Sequence, residues 1–76
     1  MYKKLYKTKD FPLACTIYEL GGKIDSTEWD YDQCYFVFED EEKCLEFEVK
    51  YVRNELKVNP RTYNESMKVI KSFLYK

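Results

Sequence analysis

The chain has 76 residues, 45% of them hydrophobic and 18% aromatic, with 13 basic and 14 acidic side chains, no histidine and a formal net charge of −1. Residues 1–76 are enough for one domain, which buries only about 60% of the surface that its unfolded form exposes, so a deep substrate cleft is disfavoured from the start. Without histidine and without a Cys-x-x-Cys pair the usual zinc ligand sets cannot be assembled, and no apolar stretch has the length of a membrane span or a secretory leader.

Residues 1–9 alternate weakly and are rich in lysine and tyrosine. Lysine decoration is how a sheet edge avoids pairing with other chains, so this stretch reads as an edge strand. Its alternative is a basic arm on which Tyr2 and Tyr6 stack against bases. Asp10 then caps a helix with Pro12 in its first turn, and the helix runs to Leu20 before Gly21 and Gly22 stop it. Only Thr16 and Glu19 are polar within it, which requires cover on most sides.

Residues 23–33 carry Ile24, Thr27, Trp29 and Tyr31 and then the turn-prone Asp30-Tyr31-Asp32-Gln33, a strand and hairpin turn. Set among acids, Trp29 and Tyr31 are either half-buried sheet residues or an exposed aromatic patch with an acidic rim, and Trp29 reads first as cover for the end of the sheet. The chain returns through Cys34, Tyr35, Phe36, Val37 and Phe38, an unbroken apolar run suited to a central strand. Asp40 is placed to cap the next helix, with Glu41 and Glu42 at its positive dipole end. Over residues 41–55 a strand-like alternation competes with a helical stripe of Leu45, Val49, Val52 and Leu56. The absence of a tight-turn sequence before it decides for helix. Phe47 lies off that stripe and is either covered by something else or exposed. Asn59 and Pro60 then start a last helix, with Val58 and Tyr63 spaced as a hydrophobic staple. Its apolar stripe is Tyr63, Met67, Ile70 and Leu74, widened by Val69 and Phe73, and its opposite face is Asn64, Lys68 and Lys71.

The element order is β-α-β-β-α-α, an α+β fold. Because the first helix links the first two strands, a right-handed crossover leaves room for the third between them, in a three-stranded antiparallel sheet of order 1-3-2 with three helices. Tyr35, Val37, Ile17 and Leu74 are expected in a shared core.

With these segments in place the chain resembles a family of small bacterial, archaeal and phage domains of unknown function. The resemblance is carried by Tyr6-Lys7-Thr8-Lys9-Asp10 before an alanine-containing helix ended by Gly21, by Tyr35-Phe36-Val37-Phe38-Glu39-Asp40, and by Leu56-Lys57-Val58-Asn59-Pro60 before a helix containing Ile70-Lys71-Ser72-Phe73-Leu74. It implies the same fold and an accessory protein, often phage or mobile-element encoded, and it brings no catalytic residues. Trp29 and the acidic turn around it stand outside that pattern and become candidates for partner specificity.

No catalytic residue, metal ligand or cofactor is expected, since the acids occur in exposed, lysine-spaced patterns instead of an apolar pocket that would perturb them. Charge is segregated along the chain. Residues 1–18 carry four lysines against Asp10 (+3), residues 19–48 eleven acids against two lysines (−9), and residues 49–76 seven bases against two acids (+5). Either the basic ends fold back onto the acidic middle, or faces of opposite sign meet different partners.

The first functional expectation is a protein-binding module acting on a host protein, with Trp29 and Tyr31 as anchors and Asp30, Asp32, Glu41 and Glu42 as acidic rim. Such a surface could occupy the basic groove of a nucleic-acid-handling protein as an inhibitor. The alternative is nucleic-acid binding through Lys4, Lys7, Lys68 and Lys71 with Tyr2 and Tyr6, opposed by the negative net charge and the lack of a nucleic-acid motif. Three cysteines within apolar patterns read as buried free thiols in a reducing cytoplasm.

Overall fold

The computed structural model describes residues 4–75 and has the expected element order: β1 (Tyr6–Thr8), α1 (Phe11–Glu19), β2 (Ile24–Asp30), β3 (Gln33–Phe38), α2 (Glu41–Val52) and α3 (Pro60–Ser72). The strands form one antiparallel sheet of order β1-β3-β2, so the apolar run is the central strand. Its register pairs Tyr6 with Phe38 and Thr8 with Phe36 on one side, and Thr27 with Phe36 and Trp29 with Cys34 on the other. A bulge at Asp25, between the paired residues Ile24 and Ser26, irregularises the outer strand β2.

Local chemistry explains where the helices begin and end. The Asp10 carboxylate accepts from the Leu13 N–H (3.1 Å) to start α1. At the other end, the Gly21 N–H donates to the Tyr18 carbonyl (3.1 Å) and the Gly22 N–H to the Ile17 carbonyl (2.8 Å). This pair of bonds is a Schellman stop, which needs the positive φ of Gly21 (100°). Asp40 caps α2 through the Lys43 N–H (3.3 Å) from a left-handed backbone (φ 64°) instead of the usual extended one. Asn59 caps α3 through the Arg61 N–H (2.9 Å).

The core lies between the sheet and the helices. Tyr6, Cys34, Phe36 and Phe38 form its strand side and meet Leu13, Ala14, Cys15, Ile17, Cys44 and Ile70 from the helices. Residues 13–17 are all buried, because α1 is covered by β1, α2 and α3 at once. Phe11 packs edge-on against Phe36 with ring centroids 6.2 Å apart. Two hydroxyls join α3 to the end of α1, as Thr62 and Ser66 both donate to the Glu19 carboxylate, the latter at 2.8 Å.

Two packing expectations are corrected. Tyr35 and Val37 alternate away from Phe36 and so lie on the outer face of the sheet; Val37 is buried there and Tyr35 half-buried, while Ile17 is in the helix-side core and Leu74 packs partly against it. The residues that α2 turns inward are Cys44, Phe47, Glu48 and Tyr51, not the Leu45 stripe. Small Cys44 lets the helix approach β1 closely, and Leu45 is one residue, about 100°, around the helix from it.

Candidate functional site

The expected partner-binding residues divide into two places. Trp29, Asp30, Tyr31 and Asp32 form the β2–β3 hairpin tip, while Glu41 and Glu42 open α2. The six residues of β3 separate them, about 20 Å of strand. Of the six expected residues, the aromatic ones, Trp29 and Tyr31, are both at the tip.

At the tip the Asp30–Gln33 pair closes a loop of just two residues, Tyr31 and Asp32. Short hairpin loops follow the right-handed twist of the strands by placing a residue at positive φ, a role suited to glycine or asparagine. Here Tyr31 takes it, with φ 59°. Its ring gains no packing in return, since the residue is 98% exposed. Trp29 lies on the helix-facing side of the sheet as the cross-strand partner of Cys34, yet it is 47% exposed because it extends past the end of the core. Asp30 and Asp32 are exposed beside them.

The acids at residues 40–42 line a different feature, an open groove between the start of α2, Lys4 on the approach to β1, and the loop at residues 21–23. The Glu41 N–H is already used by the Lys4 carbonyl (3.0 Å), and Lys4, Lys23 and Lys43 line the same groove. Its mixed charge gives it no clear ligand sign.

The residues expected to bind nucleic acid do not come together either. Tyr2 lies outside the described residues. Tyr6 is buried in the core, its hydroxyl pushed up by burial and by hydrogen bonding to Glu48, so it cannot stack on a base. Lys7 lies on the outer face of the sheet and pairs with Glu28 (2.7 Å), across the central strand above Val37. Lys68 and Lys71 are exposed on α3, which packs on α1 at the opposite face. The alternation of Tyr6 and Thr8 with Lys7 and Lys9 was the sequence signal that Tyr6 faces inward.

All three cysteines are buried, and none of them forms a disulfide. Burial pushes the Cys15 thiol up to about 11, and burial with the Asp40 charge does the same for Cys44, so both stay protonated at neutral pH. Among the described residues no group of three or more cysteine, aspartate or glutamate side chains is arranged to hold a metal, and no helix is long and apolar enough to cross a membrane.

Residues 3–76 match a family described as a domain of unknown function, DUF5659. The chain belongs to that family. Neither a curated protein nor a solved structure matches it. The description of DUF5659 assigns no activity to any residue at the hairpin tip or on the helices.

Proposed function

We propose that this DUF5659 domain is a non-enzymatic protein-binding module that engages its partner through the hairpin tip. The observation that supports the reading is Tyr31, an aromatic residue at a positive φ that favours glycine, with almost all of its surface in water. Its backbone costs about 1 kcal/mol with no packing in return, the pattern expected where stability is given up for recognition. Trp29 beside it supplies a second anchor, and Asp30 and Asp32 favour a basic partner surface. In its specific form, the partner is a host protein with a basic nucleic-acid groove, which the tip occupies as an inhibitor carried by a phage or mobile element. The buried thiols suit action in a reducing cytoplasm.

Two measurements test this reading. A photo-crosslinking side chain at position 31 should yield a discrete adduct in producing cells, abolished by Trp29→Ala, whereas the same probe at Asn64 should not. Tyr31→Gly should raise stability by about 1 kcal/mol in urea denaturation while abolishing the contact that yields the adduct when the probe is moved to Asp32. Equal adducts from positions 31 and 64, or a Tyr31→Gly variant that keeps the contact, would overturn the assignment.

A further inference from the structure

The exposed side of α2 carries Leu45, Val49 and Val52, which are 43%, 48% and 78% exposed. Their spacing of four and then three residues is that of a coiled-coil seam. A shallow groove runs along this side, bordered by Glu42, Glu46, Lys50, Arg53 and Glu55. Along α2 and its C-cap the acids Glu42 and Glu46 precede the bases Lys50 and Arg53, with Glu55 beyond the helix end. Among the described residues Glu42, Glu46 and Lys50 form no ion pair, and Arg53 has only a 3.9 Å contact with Glu55.

We infer that α2 is a self-association surface, occupied by α2 of a second copy running antiparallel across a two-fold axis near Val49. The charge order selects this occupant. An antiparallel copy centred on Val49 sets Leu45 against Val52 of the second copy and Val49 against its own equivalent. Glu46 then meets Arg53 of the second copy, and symmetry repeats the contact. A parallel copy would instead set Glu46 against Glu46 and Arg53 against Arg53. The net charge of −1 leaves little overall repulsion between copies.

The seam is short, so the pairing belongs with weak, small interfaces, with a Kd on the order of 10–100 µM. It is independent of the hairpin reading, because the tip residues take no part in it.

Sedimentation equilibrium of the full chain tests the inference, with thermal melts confirming that each variant is folded. The parent should show a monomer–dimer equilibrium. Val49→Glu, which brings two carboxylates together at the axis on an already exposed site, should leave only monomer. Glu46→Arg and Arg53→Glu should each weaken the dimer about tenfold by opposing like charges, and the double variant should restore it. Monomer alone up to about 1 mM, where association free energy falls below about 4 kcal/mol, would overturn the inference. A dimer unaffected by Val49→Glu, or a double variant no tighter than the singles, would overturn it equally.

Discussion

Single residues show most directly where local rules govern this chain. Gly21 and Gly22 are adjacent and identical in chemistry, but they are glycine for different reasons. Gly21 is needed for its positive φ and has open space around the position of a Cβ. At Gly22 an added Cβ would be 2.8 Å from the Ile17 carbonyl oxygen, and closer still to the Ile17 side chain. The carbonyl cannot move freely, since it accepts the Schellman bond and Ile17 is fully buried. Gly22→Ala should therefore destabilise the domain by about 1–3 kcal/mol, as overpacking does. A urea midpoint equal to the parent's would show that the end of α1 yields without cost. The helix stop was legible from the Gly-Gly pair because a C-cap is decided within six residues of sequence. The second glycine's role was not, since it depends on how tightly Ile17 is held by packing.

Elements show the same boundary between local and tertiary information. All three helix caps were readable, and so was the helical state of α2, because capping and turn chemistry act over a few residues. The face that α2 buries was not. Leu45, Val49 and Val52 made the more hydrophobic stripe, but burial goes to the side that fits the neighbour, where Cys44 is small and Phe47 and Tyr51 reach the core margin. In α3 the expected stripe was closer, with Ile70 buried, although Ser66 takes a fully covered place through its bond to Glu19, and Met67 is more exposed. The start of α3 gives a direct check on the capping argument. Asn59→Ala removes the acceptor for the Arg61 N–H and should cost about 1 kcal/mol. Amide exchange should accelerate over residues 61–63 in this variant; unchanged protection there would mean that packing of Tyr63 alone holds the first turn.

Across the whole molecule, the order of charge along the chain does not become two coherent faces. The sheet order and the central strand were legible, because the crossover rule and one apolar run left few choices. The placement of charged side chains was not, since it depends on strand register and on which helix packs outermost. Among the described residues, Lys7–Glu28 is the one ion pair joining the basic first segment to the acidic middle, and Lys4 borders the groove that Glu39, Asp40, Glu41 and Glu42 line. The basic residues are equally dispersed. Lys7 is on the outer face of the sheet, Lys4 borders a groove that also holds residues 39–42, and Lys68 and Lys71 project from α3 behind α1. One nucleic-acid strand cannot follow all four. Titration with single- and double-stranded oligonucleotides at low salt should accordingly give binding weaker than micromolar. The slope of log affinity against log salt should stay below about 2 in magnitude, since each phosphate contact contributes about 0.7–0.9. Micromolar binding with a slope near 3, lost when Lys4, Lys7, Lys68 and Lys71 are all changed to alanine, would require these lysines to meet one phosphate backbone. That result would make nucleic acid, and not a protein held at the hairpin tip, the partner to pursue.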